Sequence, residues 1–395
     1  MSKKTNDVVI TAALRTPIGA YKGSLKGLDA YKLGSIAIKE VINKSQLKND
    51  DIDEIIMGHV LTSGSGQNPA RQASIDAGIP VSKPAYIVNQ VCGSGLRSVI
   101  SGYQSISLNE NKIIVAGGQE NMSRAPHAIF YREDKRLLKD KLVDTMVHDG
   151  LIDAFNGYHM GVTAENVADK YKISRNQQDL FALNSQEKTQ KAINENKFKE
   201  ELIKLQVTSD KKKFVFEKDE HPRSNLKLED LKKLKTVFRD NGTVTAGNSS
   251  GINDGAAAIV LMSREEAERR SIKPLAKIVS WATCGVEPSM MGLGPIPAVN
   301  MALKVANWKI ESVDLFEINE AFAAQSIAVI RDLKIQEEKV NFNGGAIALG
   351  HPIGASGTRI LVTLIHEMLR QNKARGCATL CIGGGMGIAI CVEKN

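Results

Sequence analysis

The sequence of 395 residues is poor in cysteine and in aromatic residues, and it contains no long uninterrupted apolar run. Its five cysteines are an odd number without CxxC spacing, which argues against a disulfide framework and a structural zinc site. The apolar stretch near the C-terminus is broken by glycines and is shorter than the roughly 20 residues that span a bilayer. The start, MSKKTNDVVI, lacks the pattern of an export signal. We therefore expect a cytoplasmic protein without a membrane span or a metal site.

Positive charge is in excess, with a formal net charge of +8, but most lysines and arginines alternate with acidic residues. This alternation argues against a nucleic-acid partner. The excess is concentrated between Lys197 and Arg239, where 13 Lys or Arg face 8 Asp or Glu. A solvated surface is the commoner interpretation of such a segment. A site for a phosphorylated small ligand is the more specific one.

Short apolar runs alternate with helical patterns along the first part of the chain. VVITAA is followed by a predicted helix from about Tyr31 to Asn43, then by EIIMG, by a helix after Gly95 and by KIIVAGG. Such a βαβ rhythm predicts an α/β fold with mixed, mostly parallel sheets covered by helices.

The same landmarks return near the C-terminus, which suggests an internal duplication. Asp53 lies 39 residues before Cys92 of CGSG, and Asp314 lies 40 residues before Gly354 of GASG. A helical pattern and a glycine-ended strand follow each tetrapeptide. The predicted units are a discontinuous N-terminal half (residues 1–121 and 248–271), an inserted loop domain (122–247) and a C-terminal half (272–395).

The inserted segment is polar and rich in lysine. Ser174 and Gln177 are spaced as a capping box for a helix that runs to about Asn196. The chain returns to a strand at 256–263. Few strands are expected between these points.

Cys92 lies in NQVCGSGL, after an apolar strand pattern and before a helical one. A cysteine at a helix N-terminus lies near the positive end of the helix dipole, which lowers the pKa of the thiol and favours a nucleophilic thiolate. From the local pattern alone, a small packed residue is an equally good interpretation.

Three further motifs contain side chains of the types that act in catalysis or ligand binding. His351 lies between Gly350 and Pro352 in GHPIG, where an imidazole can act as a base, although a single loop histidine is usually structural. Cys381 ends the strand TLCI, where a buried small residue is the commoner interpretation and a second reactive thiol the alternative. Asn319 of NEAFA is either a ligand contact or a helix cap.

Taken jointly, VCGSGL, NEAFA, GHPIG and CIGGGMG resemble the thiolase family, and the resemblance extends from VVITAALRTPIGAY through AGNSSGINDGAAA to the C-terminus. It implies that Cys92 is the nucleophile that becomes acetylated, His351 the base that activates it, and Cys381 the acid and base for the α-carbon. Asn319 would hold a water that forms one oxyanion site with His351. The backbone amides of Cys92 and Gly383 would form the other.

The resemblance also implies the substrates. NQVCGSGLR and YHMG are typical of the short-chain type, which makes or cleaves acetoacetyl-CoA from acetyl-CoA and CoA with no metal or redox cofactor. His159 and Met160 would lie beside the pantetheine and acyl group, and Met291 near a small acyl pocket. Arg223 and Ser250 resemble contacts to CoA, although Thr236 stands where the family commonly has proline. The alternative to a short-chain enzyme is a 3-ketoacyl-CoA thiolase of broader chain length. A homotetramer is expected, in which the segment MSRAPHAIFYRE supplies contacts between dimers.

Other classes fit the motifs less well. A ketoacyl synthase would lack the cysteine before GGGMG, and a non-catalytic acyl carrier would be expected to have lost reactive groups. A nucleotide-dependent oxidoreductase would need a helix and an acidic residue after GGGMG, where the chain ends.

Overall fold

The computed structural model describes residues 7–129, 142–209 and 212–395. The strands are β1 Val8–Arg15, β2 Gly19–Ala20, β3 Glu54–Gly58, β4 Ala85–Val88, β5 Ile113–Asn121, β6 His127–Ala128, β7 Val143–Asp144, β8 Leu205–Ser209, β9 Lys212–Phe216, β10 Asn253–Ser263, β11 Ala276–Gly285, β12 Leu315–Ile318, β13 Arg375–Ile382 and β14 Met386–Lys394. The α-helices are α1 Ala30–Lys44, α2 Pro69–Asp76, α3 Ser94–Ser107, α4 Thr145–Gly150, α5 Met160–Tyr171, α6 Arg175–Asn194, α7 Leu228–Lys232, α8 Arg264–Arg269, α9 Pro295–Ala306, α10 Ala323–Leu333, α11 Ala346–Leu349 and α12 Ile353–Arg370.

Ten of these strands form one mixed sheet, in the order β12-β13-β14-β11-β1-β10-β5-β3-β4 with β2 paired to β10. The parallel neighbours expected from the βαβ rhythm occur towards the two ends of the sheet, between β3 and β4, β3 and β5, and β12 and β13. The strands between these groups pair antiparallel. The predicted α/β class is confirmed, with parallel pairing at each end of the sheet.

Because side chains alternate in direction along the strands, the helices and strands pack in five layers. On β1, Val8 and Ile10 face α3 and α12, whereas Val9 and Leu14 face α1 and α2. On β14, Ile390 likewise packs towards α3 and α12, while neighbouring side chains pack towards α9 and α10. Successive side chains of a strand point to opposite faces. Helices α3 and α12 therefore lie between the strands of the two halves, α1 and α2 cover one outer face, and α9 and α10 cover the other.

The two central helices are in close backbone contact. A Cβ on Gly95 would lie 2.8 Å from the backbone nitrogen of Thr358, and one on Gly357 would lie 2.3 Å from that of Leu96. The Thr358 hydroxyl donates to the Gly95 carbonyl at 2.8 Å. Glycines in CGSG and GASG thus let the helix N-termini of the two halves meet at one place.

The landmarks of the proposed duplication have matching contacts. The Asp53 carboxylate accepts from the backbone N–H groups of Lys112 and Ile113, at 2.8 and 2.9 Å. The Asp314 carboxylate accepts from the backbone N–H groups of Ala374 and Arg375, both at 2.9 Å. Each aspartate therefore holds the start of the glycine-ended strand of its own half. The exact domain boundaries stay a prediction.

In the described part of the segment between the halves, the regular secondary structure is mainly helical. Ser174 and Gln177 form the expected capping box at the start of α6. The hairpins β6-β7 and β8-β9 are its only two-stranded sheets among the described residues. The predicted intersubunit segment MSRAPHAIFYRE extends over 122–133, and its residues 130–133 lie outside the described ranges. Within those ranges, no helix has the length and apolar character needed to cross a bilayer.

Candidate active site

Cys92 lies on a strained turn immediately before α3. The preceding Val91 has φ +47°, a conformation that is unfavourable for a β-branched residue. The Ser94 hydroxyl holds this turn, because it accepts from the backbone N–H of Gln90 at 2.9 Å and donates to the Val91 carbonyl at 2.6 Å. Strain of this kind persists only where the surrounding structure enforces it, and it is common at functional sites.

The electrostatics of Cys92 differ from the sequence-based expectation. Burial raises the pKa of the Cys92 thiol to about 11, although the backbone N–H groups of Gly383 and of Cys92 itself act in the opposite direction. The prediction that the helix end lowers this pKa was wrong, because desolvation outweighs the dipole. The thiol of the free protein therefore needs a base to become a nucleophile.

His351 supplies a neutral imidazole. Its Nδ1 lies 2.6 Å from the Ser356 hydroxyl, and that hydroxyl donates its own hydrogen to the Pro352 carbonyl at 2.8 Å. Ser356 must then accept from Nδ1–H, which leaves the lone pair on Nε2. Burial lowers the pKa of His351 to about 3. The imidazole is therefore neutral at neutral pH and has a free lone pair on Nε2, although it holds a proton only weakly in the free site.

Asn319 lies directly after β12 and beside His351. Its Nδ2 is 3.4 Å from His351 Nδ1, and its buried Oδ1 has no hydrogen-bond partner among the described residues. The helix-cap interpretation was wrong, because α10 begins at Ala323 and its cap position is Phe322. A buried acceptor without a partner is a suitable place for a water molecule.

Cys381, at the end of β13, is both a buried strand residue and a neighbour of the nucleophile. Its side chain is packed with Met160, Met291 and Phe322. Burial, followed by the proximity of Cys92, raises the pKa of the Cys381 thiol. The two thiols are therefore close enough to influence each other, and both are neutral in the free site.

One cavity of about 380 Å³ brings most of the predicted residues together. Nine of them line it: Cys92, His159, Met160, Arg223, Ser250, Met291, His351, Cys381 and Gly383. Asn319 does not line the cavity and lies behind His351. Within the described ranges, no three His, Cys, Asp or Glu side chains gather as a metal site. The catalytic and binding roles of these residues remain predictions.

An aromatic wall closes one side of the cavity. The Phe238 ring stacks on His159 with centroids 4.5 Å apart, and it meets Phe322 edge-on at 6.3 Å. A Cβ on Gly161 would lie 2.2 Å from the Phe238 ring, so only glycine allows this packing. His159 also caps α5, because its Nδ1 accepts from the Gly161 N–H at 3.0 Å. The YHMG motif therefore forms the wall together with Phe238.

The segment 219–223 forms another part of the cavity wall. Asp219 pairs with the buried Arg15 at 2.7 Å, and Glu220 accepts from the Ser24 hydroxyl at 2.7 Å. His221 and Arg223 line the cavity. Burial, with the nearby arginine as the smaller cause, lowers the pKa of His221 to about 4. The two acidic residues thus anchor a segment that presents a neutral and a cationic side chain.

Sequence reasoning missed three residues that shape this site. His221 and Phe238 line the cavity, and Glu120 holds backbone amides beside it. His221 lies two residues before Arg223, and Phe238 lies two residues after Thr236, where the sequence departs from the family pattern. Glu120 lies two residues after IIVAGG, close to the end of a predicted strand, so its position in the sequence was a usable signal.

Comparison with known proteins defines the class. The family model described as "Thiolase, N-terminal domain" matches residues 8–265, and "Thiolase, C-terminal domain" matches 272–394. The chain belongs to the thiolase family.

Several members of the family are similar over the full length. The cytosolic acetyl-CoA acetyltransferase of Mus musculus is 51% identical, with all of both chains covered. The acetyl-CoA acetyltransferase of Pseudomonas aeruginosa is 52% identical over 98% of this chain and 100% of its own. Among solved structures, the acetyl-CoA acetyltransferase of Bacillus anthracis has a TM-score of 0.97 at 42% identity, covering 99% of each chain. Human mitochondrial 3-ketoacyl-CoA thiolase has a TM-score of 0.96 at 40% identity, covering 100% of each.

Proposed function

We propose that the protein is an acetyl-CoA C-acetyltransferase, which reversibly condenses two molecules of acetyl-CoA to acetoacetyl-CoA and CoA. The observation that carries this proposal is the meeting of two thiols, the neutral imidazole of His351 and the Gly383 amide at a single cavity. One thiol holds the first acetyl group, and the other acts on the α-carbon of the second. The full-length similarity to acetyl-CoA acetyltransferases supports the choice of substrate.

In the first half-reaction, His351 takes the proton of Cys92 while the sulfur attacks the carbonyl carbon of acetyl-CoA. The oxyanion that forms is stabilised by the N–H groups of Cys92 and Gly383, both of which already act on the Cys92 sulfur. Cys381 donates its proton to the departing CoA sulfur. The products are acetyl-Cys92, free CoA and a Cys381 thiolate.

In the second half-reaction, the Cys381 thiolate removes a proton from the methyl group of another acetyl-CoA. The enolate oxygen is stabilised by His351 and by a water at the unpartnered Oδ1 of Asn319. The carbanion attacks acetyl-Cys92, which forms the carbon–carbon bond and releases the Cys92 sulfur. That sulfur recovers its proton from His351. CoA is substrate and product, and the scheme needs no metal or redox cofactor.

The acyl pocket supports a short substrate. Met160, Met291, Phe238 and Phe322 form one apolar cluster with Cys381, and all of them line the cavity. A 3-ketoacyl-CoA thiolase of broader chain length is the second candidate, favoured by the TM-score of 0.96 to human mitochondrial 3-ketoacyl-CoA thiolase. The two differ in the ratio of kcat/KM for acetoacetyl-CoA and for a ten-carbon 3-ketoacyl-CoA. A large preference for acetoacetyl-CoA is expected, and comparable values would favour the second candidate.

Radiolabelled acetyl-CoA tests the covalent step. After incubation and peptide mapping, the label is expected on Cys92 and is expected to be absent from Cys92→Ser. Cys284→Ser is the matched control, because Cys284 lies on β11 and does not line the cavity; it should be labelled at the parent rate. Label on another cysteine would refute the assignment of the nucleophile, and no thiolysis of acetoacetyl-CoA would refute the proposed activity.

We also propose a cytoplasmic location and a homotetramer built from two dimers. The names of the mouse and rat relatives, which include the word cytosolic, support the location. Support for assembly comes from β4, a strand at one end of the sheet that carries the exposed Tyr86 and has the exposed Val81 and Ile75 before it in the chain. Light scattering that gives the mass of a single chain would refute the assembly.

A further inference from the structure

The loop that carries His351 belongs to the C-terminal half but is held by two side chains of the N-terminal half. The backbone N–H of His351 donates to Asn253 Oδ1 at 2.9 Å, and that of Gly354 donates to Glu120 Oε2 at 2.9 Å. Asn253 is the first residue of β10, and Glu120 lies near the end of β5, where the two strands pair side by side. Both holding residues are fully buried. Both ends of this short loop are therefore held by residues at the same end of two paired strands.

Glu120 supplies an acceptor that α12 lacks locally. The first N–H groups of a helix have no partner within the helix, and the cap residue Pro352 provides no side-chain hydrogen bond. Glu120 accepts from Gly354 in that first turn, and also from Val60 at 3.1 Å and Leu61 at 3.2 Å. Burial raises the pKa of Glu120 to about 8, against the effect of these N–H groups. Its oxygens can accept from the amides in either protonation state.

The backbones of the two halves are tightly packed around the contact between Glu120 and Gly354. A Cβ on Gly354 would lie 2.7 Å from Glu120 Oε2, and a Cβ on Gly118 would lie 2.2 Å from the Gly354 carbonyl oxygen. Asn253 is also tied to its own half, because its Nδ2 donates to the Gly19 carbonyl at 3.0 Å. A small shift of one half relative to the other would therefore move the His351 loop away from Glu120 and Asn253.

This junction matters for the chemistry because the reacting pair is divided between the halves. Cys92 comes from the N-terminal half and His351 from the C-terminal half. The position of the imidazole relative to the thiol therefore depends on how the two halves are held together. A misplacement of about 1 Å can reduce the rate of a positioned reaction by about 10²-fold.

We propose that Glu120 and Asn253 are positioning residues, which set the placement of His351 relative to Cys92 across the junction of the two halves. This inference rests on the proposed acyl transfer. Its consequence is that Glu120 contributes to the acetylation of Cys92 mainly through His351, whereas its direct electrostatic effect, which raises the pKa of the Cys92 thiol, is the smaller one.

A double-mutant cycle tests this dependence. The rate of Cys92 acetylation by saturating acetyl-CoA is followed by intact-protein mass spectrometry in the parent, Glu120→Gln, His351→Ala and the double variant. Glutamine keeps the volume of Glu120 but replaces one acceptor oxygen by an NH₂ group. Glu120→Gln should slow acetylation by about 10²-fold in the parent background. In the His351→Ala background it should change the rate by less than about threefold, because residues that act as a unit are not additive.

A merely structural role gives a different result, namely the same fold-loss in both backgrounds, and that result would overturn the inference. Asn253→Ala, which removes the acceptor of the His351 N–H, is taken through the same cycle and decides the question if Glu120→Gln does not fold. Glu367→Gln is the matched control, since Glu367 is a buried carboxylate near the other end of α12 that accepts from Asn343 at 2.7 Å. It should lower thermal stability without slowing acetylation of the folded protein. Equal slowing by this control would also refute the inference, whereas a parent protein that is never acetylated would refute the acyl-transfer proposal itself.

Discussion

Replacement of Met291 by alanine should change the chain-length preference of the protein. Met291 is 3% exposed, lines the cavity and is packed with Met160, Phe322 and Cys381. Truncation to alanine removes the side chain beyond Cβ, and the space that it leaves lies next to the proposed acyl position. A longer acyl chain can fill that space, whereas the acetyl group cannot.

The magnitude follows from the apolar surface of the longer substrate. Burial of each methylene is worth about 0.8 kcal/mol, so two extra methylenes gain about 1.6 kcal/mol. At 1.36 kcal/mol for each factor of ten, the ratio of kcat/KM for a six-carbon 3-ketoacyl-CoA to that for acetoacetyl-CoA should rise by about 15-fold. Unfolding should become easier by about 2–5 kcal/mol, as is usual when a buried methionine is truncated to alanine.

Thiolysis rates with the two substrates, measured on the same enzyme preparation, give this ratio without a need for absolute concentrations. Met301→Ala is the control, because Met301 lies on α9 and is 46% exposed; it should leave both the ratio and the stability near the parent values. An unchanged ratio in folded Met291→Ala would refute the placement of the acyl group beside Met291. A parent protein that already cleaves both substrates equally well would refute the short-chain assignment.

Two further predictions concern the thiols. In Cys381→Ala, Cys92 should still accept an acetyl group from acetyl-CoA, but more slowly, because CoA must then leave as a thiolate without the proton of Cys381. Acetoacetyl-CoA turnover should fall further, by about 10²–10⁴-fold, as expected for loss of the acid and base that acts on the α-carbon. Cys377→Ala, which alters another buried residue of β13, should retain turnover, and retention of both activities in Cys381→Ala would show a packing role only. Alkylation of Cys92 by iodoacetamide in the free protein should accelerate about tenfold per pH unit from pH 7 to 10, because the neutral thiol with a pKa of about 11 yields more thiolate at each step. A plateau below pH 9 would contradict the raised pKa.

Periodicity predicted the strands and central helices well, because these elements follow local patterns. The run KIIVAGG became β5, and the helix expected from about Tyr31 became α1. The capping box at Ser174 fixed the start of α6 as expected. Strand pairing was harder to predict, since the antiparallel neighbours β1 and β10 are separated by the whole inserted segment. No local pattern reports such a distant partner.

The candidate site shows the same division between local and distant information. Motifs identified Cys92 and His351, because each lies on a glycine turn with a recognisable local sequence. The pKa of Cys92 was predicted in the wrong direction, since the sequence reveals the helix end but not the burial that outweighs it. Glu120 was missed because its three amide donors come from two separate stretches of chain.

The raised pKa of the nucleophile is consistent with the proposed reaction once the cost of burying charge is considered. An isolated ion in a dry site costs several kcal/mol, so a free site that held a Cys92 thiolate and a His351 imidazolium would lose stability. With the pKa of Cys92 raised and that of His351 lowered by burial, both groups stay neutral until a substrate is bound. A thioester carbonyl placed against the N–H groups of Cys92 and Gly383 then receives the negative charge as it forms. The proton transfer to His351 is thus favoured in the transition state rather than in the free protein, which is the condition under which a binding interaction accelerates a reaction.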